Sequence, residues 1–123
     1  MFNLQDNKDK MLLTMGLCES LIAHIHIEVP KNSNNWEDVS IVGAEKPNLE
    51  TALQVFNNYK LKSLLSKIRH ERNILLSETD FYALTDNNMS LEMKNYRQAL
   101  RDITEDLTTW EKAENVIFPN KPQ

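Results

Sequence analysis

Two histidines and a glutamate alternate with isoleucines in the stretch His24-Ile25-His26-Ile27-Glu28. If the stretch is extended, all three polar side chains fall on one face, because successive residues of a strand point to opposite sides. Imidazoles two residues apart on a strand, with a carboxylate two further on, can ligate zinc. The solvated face of an ordinary half-buried strand has the same pattern. No second cluster accompanies it: Cys18 is the single cysteine, and His70 is far along the chain. No metal site is assigned.

Arg97 and Arg101 stand one helical turn apart. Like charges at that spacing repel by a few tenths of a kcal/mol unless acids offset them. Asp102 and Glu105 are near enough to do so, and Arg101 with Glu105 is itself an i,i+4 pair. Arg97 flanks an apolar stripe and can reach a carboxylate across a helix interface, with Asp80 the candidate. A fork-to-carboxylate pair there would fix the register of two helices; an anion site is the other chemistry such arginines offer. Lys60, Lys62, Lys67, Arg69, His70 and Arg72 form a basic run. On a helix the run divides, with Lys60, Lys67 and His70 on one side and Lys62, Arg69 and Arg72 on another. A phosphate-tracking surface needs convergent charge. Serines and threonines are present, but none lies in a nucleophile motif. With glycine only at positions 16 and 43, no glycine-rich phosphate loop can form. No catalytic residue or cofactor is assigned.

The elements that must position these residues follow from composition and period. The chain has 123 residues and a net charge of −4, with 26% charged and 41% hydrophobic residues. That is one soluble domain's worth of sequence, able to bury a core without disulfides or metal. No apolar run of about 18 residues exists, so no membrane span is expected. The amino terminus lacks a basic region followed by an apolar one, so no secretory leader is expected. A lone cysteine fits a reducing compartment. The acidic balance weighs against a dedicated nucleic-acid binder.

Residues 4–20 read as a helix with Asp6 as N-cap. Ala23, Ile25, Ile27 and Val29 alternate with polar residues up to Pro30, and Val39–Val42 is a second β-prone run closed by Gly43. The two runs predict a hairpin that leans on a helix or a partner. Asn48 then caps a long helix to about Glu78, ~45 Å at 1.5 Å per residue. Leu49, Ala52, Leu53 and Phe56 form one apolar stripe. Leu61, Leu64, Leu65, Ile68 and Leu75 form another, about a quarter turn away. Either the helix bends near residues 57–60 or two surfaces contact its two halves. Thr79 caps a short turn at 80–84, and Ser90 caps a helix expected over 91–107. In that helix Met93, Tyr96, Leu100, Ile103 and Leu107 are spaced 3, 4, 3, 4. Leu65, Ile68, Leu75 and Phe81 are expected to face Met93, Tyr96, Leu100 and Ile103. Thr108 with Glu111 predicts a capping box for a last short turn. The fold class is therefore mainly α (α+β), a long αα-hairpin with a small N-terminal β-hairpin. The chain divides into 1–47, an N-terminal helix plus hairpin, and 48–123, a helical domain.

The run His70-Glu71-Arg72-Asn73-Ile74-Leu75-Leu76-Ser77-Glu78-Thr79-Asp80-Phe81 is followed by a loop bearing Asp86. Tyr96-Arg97-Gln98-Ala99-Leu100-Arg101-Asp102-Ile103 and Val116-Ile117-Phe118-Pro119-Asn120-Lys121-Pro122 come next. In that order the pieces resemble the phage tail assembly chaperone-like family, over about residues 69–122. A Trp-containing segment and Lys46-Pro47 before a helix are similar to an arrangement found upstream in such phage proteins. The chain departs from the family's pattern at Phe81 and Phe118, where the family has Trp, and at Thr104, where it has Pro. Aromatic exchanges keep the packing role, and the lost proline would let the helix run on to Leu107.

The resemblance implies a non-enzymatic bacteriophage tail morphogenesis protein that binds a tail-fibre or baseplate protein. It would act as an assembly chaperone or a minor tail component, in the host cytoplasm during assembly or in the virion tail. The residues offered as protein interface or register contacts are Leu49, Leu53, Phe56, Arg72, Asp80, Phe81, Tyr96, Arg97, Arg101, Trp110 and Phe118. Trp110 and Phe118 serve equally well as core closure or as interface anchors. The stripe of helix 91–107 covers only one of the two apolar sectors on the long helix, and the Leu49/Leu53/Phe56 sector needs the N-terminal hairpin, a second copy or a client; a ~45 Å helix outreaches a compact domain of this length, so a homo-oligomer or stable complex is expected. The alternative function is a small nucleic-acid-binding phage regulator using residues 60–72.

Overall fold

The computed structural model describes residues 3–21, 25–84 and 88–123. Its elements are α1 (Asn7–Leu21), β1 (His26–Glu28), β2 (Ser40–Val42), α2 (Leu49–Glu78), α3 (Leu91–Arg101) and α4 (Trp110–Glu114). Short 3-10 turns lie at Trp36–Asp38 and Asp80–Ala83. The mainly helical class with a small amino-terminal hairpin is as the sequence predicts. Two compact units are present, Met1–Lys60 and Leu61–Gln123. They divide within α2, whereas the sequence segments divide at 47/48.

The first unit is built on α1. Asp6 caps it: its carboxylate accepts from the Lys8 amide at 2.8 Å, and its carbonyl accepts from the Lys10 amide at 3.0 Å. Leu4, expected inside the helix, precedes it and is fully buried. The inward face of α1 carries Leu12, Leu13, Gly16 and Leu17, and packs with Trp36, Val39, Ala52 and Phe56 into one core. Gly16 permits the close approach of α2. A Cβ there would lie 3.1 Å from the Tyr59 Cβ and 3.2 Å from a Val55 methyl. The hairpin pairs His26 with Val42, Ile27 with Ile41 and Glu28 with Ser40, antiparallel. Ile25, Ile27, Val29 and Ile41 pack on the core while His26, Glu28, Ser40 and Val42 face solvent, as period-two alternation requires. Gly43 follows β2 at φ 102°, a conformation that glycine adopts without strain.

Trp36 closes this unit. Its indole N–H donates to the Pro47 carbonyl at 3.0 Å. Lys46 Nζ in turn donates to the carbonyls of Trp36 (2.9 Å) and Glu37 (3.2 Å) and lies 4.9 Å from the indole centroid. The polar loop expected around Trp36 is thus tied to the entrance of α2. There Asn48 is the cap, its side-chain oxygen accepting from the Thr51 amide at 2.9 Å.

α2 is one helix of 30 residues. Ala52 and Phe56 on its first half are fully buried in the first unit, and Leu75 and Leu76 on its second half pack in the second. Of the first stripe Ala52 and Phe56 enter one core; of the second, Leu75 enters the other, Ile68 is buried, and Leu61, Leu64 and Leu65 are half-buried. Of the covers open to Leu49, Leu53 and Phe56, the hairpin is the one present, joined by α1: together they cover Phe56 and most of Leu53, while Leu49 is exposed.

The second unit centres on Met93, Tyr96 and Leu100 of α3, with Leu75, Leu76, Tyr82, Met89 and Phe118 against them. Ser90 caps α3 by accepting from the Met93 amide at 3.1 Å. Two expectations fail here. The helix expected over 91–107 ends at Arg101, and residues 102–107 form successive turns, with Glu105 N donating to Asp102 O and Leu107 N to Thr104 O. The sequence Asp102-Ile103-Thr104-Glu105-Asp106 is dense in β-branched residues and in aspartates that compete for backbone hydrogen bonds, so losing a proline at position 104 does not extend the helix. The last cap is also one residue later than expected. Thr109, not Thr108, accepts from the Lys112 amide, at 3.3 Å, and opens α4.

Candidate functional site

The segment 76–101 brings together two of the polar residues singled out, Arg97 and Asp80. α2 ends with free carbonyls, as every helix does, and they carry the negative end of its dipole. Here a guanidinium from α3 answers them. Arg97 Nη1 donates to the Leu76 carbonyl at 2.9 Å and to Thr79 Oγ1 at 2.6 Å, while Nη2 donates to Asp80 Oδ1 at 3.0 Å. The Arg97–Asp80 contact suggested by the sequence is thus present. The guanidinium's other two bonds go to the turn itself. Thr79 is fully buried, and its amide (3.1 Å) and hydroxyl (3.2 Å) both donate to Leu76 O. Reading Thr79 only as a cap missed this role; its one signal is position, immediately after the last turn of a long helix. No cap bond from its side chain to the following turn is made.

Beside this node Tyr96 is buried, and its phenol is pushed above the ordinary value of 10.0, first by burial and then by the charge of Glu78. Phe81 departs from expectation. It was to face Met93 and Tyr96, but it is 51% exposed and stacks on Tyr82, ring centroids 4.0 Å apart. Tyr82 takes the inward place. In a 3-10 turn, residues one apart point in different directions, and helical spacing continued from α2 picks the wrong one.

The remaining candidates scatter. Leu49, Leu53 and Phe56 lie in the first unit. Arg72 is half-buried, with Nε donating to its neighbour Asn73 at 3.1 Å. Arg101 is exposed and donates to Gln98 Oε1 at 2.9 Å, in place of the expected pairing with Glu105 beyond the helix end. Trp110 begins α4 half-buried, and Phe118 packs on the α3 core. Of the possible metal face, His24 lies outside the described residues, while His26 and Glu28 are exposed on β1. Among the described residues no group of three His, Cys, Asp or Glu is placed to hold a metal ion. In the basic run, Lys60 is half-buried and 3.8 Å from Asp9.

The node therefore fixes one helix end against another, and the segment around it carries apolar residues outward. Ile74, Phe81, Leu84, Leu91 and Ile117 are all exposed. Residues 65–123 match the family model described as phage tail assembly chaperone protein. The carboxy-terminal segment is similar to phage tail assembly chaperone proteins. The match covers the end of α2, the Arg97 node, α3, α4 and the extended tail, and supports a role in phage tail morphogenesis. No curated protein and no solved structure gives a match. Among the described residues no helix is long and apolar enough to cross a membrane.

Proposed function

We propose that this chain is a non-enzymatic tail morphogenesis protein that binds a tail-fibre or baseplate protein, as an assembly chaperone or a minor tail component. The family match over residues 65–123 carries the reading. The structure supports it with a scaffold whose polar groups are spent on its own register and whose exposed side includes Phe81, Leu84 and Ile117. An aromatic on a turn and an isoleucine on an extended tail are suitable anchors for a protein partner. The partner is met in the host cytoplasm, as tails are assembled there. Co-expression with phage tail-fibre and baseplate proteins, followed by affinity capture, tests the reading. A stable complex that Phe81→Ser and Ile117→Ser weaken is the expected result. Capture of none of them, combined with steeply salt-dependent binding to random duplex DNA, would replace it with the nucleic-acid reading of residues 60–72.

A further inference from the structure

The outer face of α1 has the wrong chemistry for a surface helix. Leu12, Leu13, Gly16 and Leu17 already supply its buried side. On the opposite side Met11 is 57% exposed, Met15 is 45% exposed and Cys18 is exposed. At 100° per residue these three fall within an arc of about 60°. A helix that is apolar on both sides has the pattern of one covered on both sides, and thioethers make an adaptable packing surface.

The flank of that face bears opposite charges at its two ends. Lys8 and Glu19 are exposed and lie on the same side of the methionine stripe, roughly 20–40° beyond its edge. Lys8 is three residues before Met11, and Glu19 is four after Met15. Set antiparallel to a second α1, with Met11 against Met15 of the second copy, Lys8 comes within one residue, ~1.5 Å of rise, of the second copy's Glu19. A two-fold axis then generates the same contact a second time.

We propose that the Met11/Met15/Cys18 face of α1 is where two copies of this chain pair, antiparallel, with Lys8 of each copy against Glu19 of the other. The occupant is a second copy because the charge pattern is complementary to itself under that operation. The proposal stands on the first unit alone and is independent of the tail-protein reading. One pair of 15-residue helices buries less than the roughly 1,200 Å² of a stable interface, so the dimer is weak.

Sedimentation equilibrium of the full chain through the high micromolar range is the test. The mass rises from 14.3 kDa toward twice that value. Lys8→Glu and Glu19→Lys each turn two exposed attractions into repulsions and weaken the dimer about tenfold. Each places a charge that suits its end of the helix dipole, and circular dichroism checks that each variant is folded. An equimolar mixture of the two variants regains wild-type association, because each supplies the charge the other lacks. A 14.3 kDa species at every concentration, or two variants that associate like wild type, overturns the pairing. So does a mixture no tighter than its components. A monomer whose Met15→Glu form stops capturing a tail protein overturns it too and assigns the face to that protein.

Discussion

Arg97→Met removes a guanidinium and leaves a side chain of similar reach, so the loss isolates its hydrogen bonds. Three are broken, and they are unequal. Leu76 O keeps two other donors, the Thr79 amide and hydroxyl, so its loss is partial. Thr79 Oγ1 is fully buried and loses the one donor it accepts from. A hydrogen bond to a charged group contributes ~1.5–3 kcal/mol. Asp80 has a side chain 64% exposed, so its pairing is screened and adds under ~1 kcal/mol. The sum is about 3 kcal/mol for Arg97→Met against at most ~1 kcal/mol for Asp80→Asn. Urea unfolding followed by far-ultraviolet circular dichroism measures both. Equal costs for the two variants would mean that the exposed ion pair carries the node. A cost under ~1 kcal/mol for Arg97→Met would mean that the buried bonds to Leu76 and Thr79 contribute nothing, and either result refutes the reasoning.

Gly16→Val, with a Cβ 3.1 Å from that of Tyr59, overpacks the α1–α2 contact and destabilises by ~1–3 kcal/mol in thermal melts. Trp36→Phe keeps the buried ring but orphans the Pro47 carbonyl, costing ~1–2 kcal/mol by the same measurement. The raised Tyr96 phenol contributes stability that is full below pH 10 and declines as pH rises toward its folded value, because the unfolded phenol ionises first. Tyr96→Phe should flatten that alkaline decline in denaturation curves, and an unchanged decline would assign it to other groups.

The sequence was most informative where a local rule decides alone. Alternating β-branched residues located the hairpin and told Ile25 and Ile27 from His26 and Glu28. Asn48 and Ser90 marked two helix starts because a side-chain oxygen at that position satisfies an amide whatever lies elsewhere. Arg97 and Asp80 could be paired because a flanking arginine on an amphipathic helix has few places to go. What stayed hidden depends on tertiary neighbours. Leu49, Leu53 and Phe56 had the hairpin, a second copy or a client open to them as cover, because nothing in the sequence assigns α1 to them. Gly16 carries no signal of the Tyr59 contact that requires its small size. The end of α3 at Arg101 is set by turns after it, while the apolar spacing through Ile103 and Leu107 continues past the true boundary. Tyr82 and Phe81 are neighbours of like character, and only the geometry of the 3-10 turn says which faces in.

The central claim is that the carboxy-terminal unit binds a tail protein. Affinity capture from cells co-expressing this chain with phage tail-fibre and baseplate proteins tests it most directly. The account predicts a complex that survives size exclusion with one of those proteins and is lost with Phe81→Ser combined with Ile117→Ser, while circular dichroism shows that variant still folded. Recovery of the chain alone from every co-expression, at full solubility of both proteins, would contradict it.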